Sequence, residues 1–313
     1  MVSGYMWKDN LGKSFRDIIK KRSFRLLLPY FIWGMISICV FQCGQKFSSL
    51  LVDGSDWYYK VKLCQIPSFR VNLISLVHAG AWPNGEGFIF NSVLWFLPCL
   101  FIVLLIYDIL CRIKCSGRAI LLNSKFYIGV LVLIFILLGG IMRFYAPKFL
   151  PWGLNRVPYM MIFFLLGRML KILRMKSYQS GLMPIIVFSA WLLFGLVAWF
   201  YPDLAIGYLS WRWYLYTIFL AVYGGVITFY TAQMIDCYFL SLFGLCSMGI
   251  MLQHKFLILP LQLAYGKLNG NNPIVILIVA LLISCVVCVL SLCFTVIIRR
   301  NLPLALGEGG NGK

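Results

Sequence analysis

PIVILIVALLISCVVCVLSLCFTVIIRR, residues 273–300, runs for 26 positions without a charge before it reaches Arg299 and Arg300. Wound as an α-helix, a run of that length is roughly 39 Å long. The hydrocarbon core of a bilayer is about 30 Å thick and takes about 20 apolar residues to cross. Comparable uncharged runs occupy residues 26–43, 88–107, 126–142, 182–201 and 213–235. Two further runs are less regular: 157–167 stops at Arg168, and 245–263 is interrupted by His254 and Lys255. Arg168 and Lys171 can snorkel, burying their stems while the charges reach the interface. The pattern predicts an all-α polytopic membrane bundle of eight transmembrane helices.

Composition agrees. Of 313 residues, 62% are hydrophobic and only 12% charged, whereas a soluble domain carries about 25% charged residues to solvate its surface. In lipid each helix satisfies its own backbone polar groups, so such a chain needs no polar coat. No alternation over successive segments of about ten residues is present, which argues against a β-barrel.

The chain carries 28 Lys and Arg against 9 Asp and Glu, a net charge of +19. In a soluble protein that excess would suggest nucleic acid. Here the cations cluster between apolar runs, so nucleic acid is not an expected partner, and the charges report topology, because cationic loops stay in the cytoplasm. Alternate loops hold 18 and 9 cations, with Lys255 inside a run. The richer set includes both ends of the chain, which places both termini in the cytoplasm. Residues 1–302 are expected to form one membrane-embedded domain, followed by a disordered tail over 303–313 that ends in GEGGNGK. The eleven cysteines are scattered and mostly within apolar runs. Their spacing matches neither a zinc site nor a disulfide framework, and no metal is expected.

Residues suited to chemistry are few. The longest polar stretch, expected to be an external loop over about 44–87, holds Asp53, Asp56, Trp57, Tyr58, Tyr59, His78, Trp82 and Glu86. Aromatic rings beside acids and an imidazole suit a sugar-binding surface, with His78 and Glu86 as candidate substrate contacts; an interfacial aromatic belt fits the same residues. The second histidine, His254, lies within an apolar run beside Lys255, where ionisable groups are rare and face a polar interior. It is the candidate catalytic residue, set against a neutral imidazole bonded to a neighbouring helix. KKRSFRLLLPY at 20–30 places Lys21, Arg22 and Arg25 at the mouth of the first span. Such a cluster attracts polyanions such as nucleotide phosphates, and it is equally an ordinary cytoplasmic flank.

Five short motifs follow one another in order: MVSGYMWK (1–8), KKRSFRLLLPYFIW (20–33), LWFLPCLF (94–101), FFLLGRML (163–170) and SMGIMLQH (247–254). Together they resemble the bacterial membrane acyltransferase family three, most closely its fucose 4-O-acetylase-like and surface polysaccharide O-acetyltransferase branch. The resemblance implies an enzyme of the cell's inner membrane that takes an acyl group, by default acetyl, from acyl-CoA as co-substrate, with no bound cofactor. The acceptor would be a sugar hydroxyl of a lipid-linked glycan or surface polysaccharide. It further implies that Lys21, Arg22 and Arg25 engage the CoA phosphates, that Pro29 bends the helix that follows, and that Trp95 lines the central cavity. Members usually carry their general base, a histidine, in the first membrane helix, preceded by an arginine. Nothing in this chain matches either residue. The chain is therefore expected to lack the first one to two helices of the family, and the acyltransferase to be active in a longer form or inactive as written. A transporter or flippase, and a non-catalytic helper in polysaccharide assembly, are the competing functions; the ordered motifs favour the acyltransferase over the transporter.

Overall fold

A computed structural model describes residues 1–8, 12–51, 68–79, 91–115, 118–119, 124–146, 150–173, 189–190, 192–193, 211–235, 237–266 and 273–308. Among these the helices are α1 (Val2–Tyr5), α2 (Phe15–Arg22), α3 (Leu28–Leu51), α4 (Phe69–Val77), α5 (Phe96–Arg112), α6 (Lys125–Tyr145), α7 (Val157–Leu173), α8 (Trp211–Met234), α9 (Tyr238–Gly266) and α10 (Pro273–Asn301). The only strands among the described residues are two of two residues each, with Lys114 opposite Ala119 and Cys115 opposite Arg118.

Among the described residues, six segments are long and apolar enough to cross a membrane: Phe15–Val40, Val93–Arg112, Lys125–Tyr145, Tyr214–Ala232, Tyr238–Ile258 and Ile278–Asn301. Five coincide with long uncharged runs. The sixth is the run interrupted by His254 and Lys255, whose helix starts earlier than expected because YFLSLF at 238–243 is apolar as well. The run at 157–167 does form a helix, but α7 continues through Arg168 and Lys171 to Leu173 and totals 17 residues. Most of the run at 182–201 lies outside the described residues.

Large apolar side chains point away from the protein along these helices. Leu137 on α6 is 60% exposed and Leu281 on α10 is 59% exposed. That is unfavourable in water but neutral against acyl chains, so lipid is the solvent of these faces.

The chain divides into two compact units. The first comprises residues 1–11, 106–148 and 155–240; the second comprises 12–105, 149–154 and 241–313. In the first, α7 packs on α1 and α6. The contacts are made by glycines: a Cβ on Gly4 would strike the Phe164 carbonyl, and one on Gly167 would strike the Met1 carbonyl. Gly139 and Gly140 on α6 likewise leave room for the Tyr214 and Trp211 rings of α8. Small residues that let backbones and rings approach closely are a main device of packing in lipid. In the second unit, α3 packs against α4 and against a 3-10 turn at Pro303–Leu306.

That turn corrects the expected tail. Residues 303–308 are folded onto the helices: Trp33 Nε1 donates to the Ala305 carbonyl at 3.0 Å, and Glu308 receives two hydrogen bonds from Arg299, at 2.7 and 2.5 Å. Ala305 and Leu306 supply the apolar surface by which the segment docks, and Leu306 is only 3% exposed. Residues 309–313 lie outside the described residues.

Candidate functional site

The basic motif of the second unit is shaped by Pro29. Proline has no N–H and its ring crowds the carbonyl four residues back, here that of Arg25. The helix responds by widening. Ser23–Leu27 form a π-turn in which the Leu28 N–H bonds to the Ser23 carbonyl, five residues back. The chain is thus re-registered around the proline, and a span-length helix runs on from Phe15 to Val40. Single π-turns of this kind are frequent at functional sites. Lys21 and Arg25, four residues apart on one face, are exposed, and Arg22 is half-buried. The backbone beneath them is held by Gly307, which has φ +69° and sits so close to the Arg25 carbonyl that a Cβ would collide with it.

About one and a half turns beyond Arg25, the Tyr30 hydroxyl donates to the Leu76 carbonyl at 2.6 Å. That bond draws α4 into the bundle, so the segment around His78 is no surface loop. Leu76 is 2% and Ala79 6% exposed, and His78 between them is half-buried. The stretch expected to be a loop from residue 44 is helical to Leu51 and again over Phe69–Val77. Its remaining candidates, Glu86 among them with Asp53, Asp56, Trp57, Tyr58, Tyr59 and Trp82, lie outside the described residues.

His78 and Trp95 meet through a turn that the sequence reading passed over, Pro151–Gly153. The Trp152 N–H donates to the His78 carbonyl at 3.0 Å and its Nε1 to the Val77 carbonyl at 3.1 Å. A Cβ on Gly153 would lie 3.8 Å from the Trp95 ring. Among the described residues the only non-glycine positions with positive φ are Ala79 (56°) and Trp152 (59°), both at this junction. Backbone strain of this kind costs of order 1–3 kcal/mol and persists where surrounding contacts impose it, often at functional sites. A Pro-Trp-Gly sequence is a turn signal, but nothing in it announces which histidine it will meet.

A buried polar layer crosses the same unit. The Ser37 hydroxyl donates to the Trp33 carbonyl at 2.7 Å. Asn91, fully buried, donates through Nδ2 to the Ser37 hydroxyl at 3.4 Å and to the Leu252 carbonyl at 3.1 Å. On the next residue of α9, Gln253 Nε2 donates to Thr295 Oγ1 on α10 at 3.2 Å. His254 follows. Its Nδ1 is 2.8 Å from the Met251 carbonyl and 3.2 Å from that of Ile250. Carbonyl oxygens only accept, so Nδ1 carries the proton and Nε2 of the neutral ring keeps its lone pair. The imidazole is therefore bonded to its own helix, not to a neighbouring one, and Nε2 is the atom able to take a proton.

These groups share one apolar core. Leu26, beside Arg25, packs in a single cluster with Tyr30, Trp33, Leu76, Ala79, Leu94, Leu97, Leu252 and Leu306. Arg25, His78, Trp95 and His254 thus each stand within two residues of a member of this buried cluster, with Lys21 and Arg22 on the turn that precedes it. The motifs that carry them are scattered along the sequence yet fold into one place, and one sequence pattern spans them all: the chain matches the acyltransferase domain of family 3 over residues 1–293. The protein belongs to acyltransferase family 3. No curated protein and no solved structure matches the chain. This family 3 member is a multi-pass membrane acyltransferase whose family match runs through both compact units.

Proposed function

We propose that this acyltransferase moves an acetyl group from acetyl-CoA to a sugar hydroxyl of a lipid-linked glycan or surface polysaccharide, in the inner membrane, with both chain ends in the cytoplasm. The observation that supports the reading is that Arg25, His78, Trp95 and His254 are each sequence neighbours of residues in one buried core, with Lys21 and Arg22 just ahead of it. Phosphates of the donor dock on the cationic face by charge-assisted hydrogen bonds. The sugar hydroxyl attacks the thioester carbonyl, a C–O bond forms, the C–S bond breaks, and CoA leaves as its thiol. The hydroxyl's proton goes to a general base, for which His254 Nε2 is the candidate, with His78, Trp95 and Glu86 as acceptor contacts. The excess of 18 cations over 9 between alternate loops supports the orientation.

The test is transfer of labelled acetyl from acetyl-CoA to membrane glycan by the full chain, compared with Arg22→Ala/Arg25→Ala and with His254→Ala. Loss of CoA binding in the first, with normal insertion, supports the donor site; unchanged affinity removes it. Wild-type turnover in His254→Ala returns that residue to a structural role.

A further inference from the structure

The reading above leaves two buried ionisable side chains unused, Asp108 and Arg168. Arg168, in the FFLLGRML motif on α7, is only 6% exposed. Its Nε donates to the Tyr107 hydroxyl at 3.1 Å, and its guanidinium carbon lies 4.7 Å from the centre of the Trp7 ring. Trp7 meets Tyr107 edge-on at 5.0 Å. Trp7 is itself 7% exposed, and its Nε1 is buried without a hydrogen-bond partner. One turn along α7, Lys171 Nζ donates to the Trp7 carbonyl at 2.9 Å. All of these residues belong to the first unit.

The cluster is rich in donors, and among the described residues no carboxylate pairs with Arg168, although Asp108, next to Tyr107 in the same unit, is 3% exposed. A guanidinium offers five N–H groups in a rigid fork, of which only Nε is engaged among the described residues, and Arg168 forms no ion pair there. The Trp7 face supplies a cation–π contact, but that leaves the fork's terminal nitrogens without acceptors. The indole Nε1 can only donate. Buried cations are retained where they meet a counter-charge, and ionisable groups at membrane depth mark functional sites by default. What completes such a cluster is a group that only accepts and carries negative charge.

We propose that Arg168 and Trp7 hold a phosphate group, taken by the terminal nitrogens of Arg168 and by Trp7 Nε1, with Lys171 adding charge beside it. The site is built from residues other than Lys21, Arg22 and Arg25 and does not depend on their role. The phosphate belongs either to a soluble phosphoester or to a lipid headgroup, and the two are separable by experiment.

The full chain is purified on an Arg22→Ala/Arg25→Ala background, so that the basic motif does not contribute, and titrated with inorganic pyrophosphate by calorimetry and thermal unfolding. Trp7→Phe keeps the ring under the guanidinium and removes only the indole donor; Arg168→Lys keeps the charge and removes the fork. Pyrophosphate is expected to raise the unfolding temperature of the parent, with affinity falling roughly tenfold in Trp7→Phe and further in Arg168→Lys. Should a headgroup be the occupant, native mass spectrometry finds one anionic phospholipid on the parent and none on either variant. Equal binding of both probes by all three proteins, or binding of neither probe by the parent, overturns the site.

Discussion

The two units solve the same packing problem in different ways. In the first, α7 is drawn against α1 by glycine on both sides, Gly4 meeting Phe164 and Gly167 meeting Met1, and aromatic rings of α8 fill the notch at Gly139 and Gly140. In the second, Gly249 on α9 admits Thr295 of α10, and the same threonine takes a hydrogen bond from Gln253. Lipid offers no hydrophobic reward for bringing helices together, so close van der Waals fit and interhelical hydrogen bonds must do it. The first unit brings backbones together at its glycines and adds bonds from Tyr214 to the Ile136 carbonyl and from Arg168 to the Tyr107 hydroxyl; the second joins its helices through side-chain amides and hydroxyls. Their charges differ as well: the first keeps Arg168 inside, while the second presents Lys21 and Arg25 outward.

That contrast can be broken at its strongest point first. Gly167→Leu places a side chain against the Met1 backbone, and we expect about 3 kcal/mol of destabilisation or more, read as lost thermal stability and protease resistance of the first unit. Arg22→Ala/Arg25→Ala should leave stability near wild type yet weaken acetyl-CoA binding by about tenfold or more, since each arginine is expected to make charge-assisted bonds. Trp33→Phe removes the donor to the Ala305 carbonyl and should cost about 1 kcal/mol, visible as earlier proteolysis after Leu302. Thr295→Val, in the polar seam, should cost only about 0.6 kcal/mol, the usual scale of such bonds in a bilayer; a larger loss would mean the seam carries more of the second unit than the glycine contacts of the first suggest. Topology is checked without any stability change: an impermeant maleimide should reach Cys64 from outside and Cys237 only after permeabilisation.

Much of the fold was legible because a span announces itself. Uncharged runs of 17 or more residues located five of the six span-length helices. What was hidden are features that depend on a partner distant in sequence. His78 reads as a loop residue because nothing near it states that Tyr30 will bond to Leu76, 46 positions away. The tail reads as disordered from its glycines, yet Ala305 and Leu306 give it a docking face, and Gly307 is needed for its positive φ. Pro29 predicts a bend, and whether a bend or a π-turn results depends on what packs beside the freed Arg25 carbonyl. Arg168 was counted with the loop cations because charge alone does not reveal burial. The exposed face of the basic motif, by contrast, was legible because the spacing of Lys21 and Arg25 puts them on one side of a helix.

The clasp between Trp33 and Ala305 joins positions 272 residues apart. At about 5–20 residues per second, synthesis of the intervening chain takes on the order of half a minute. Throughout that interval the first span is already in the membrane with the Arg25 turn unsupported by Gly307. The turn that carries Arg25 is therefore among the last parts to be completed, and a growing chain cannot present it in finished form before α10 has entered the bilayer.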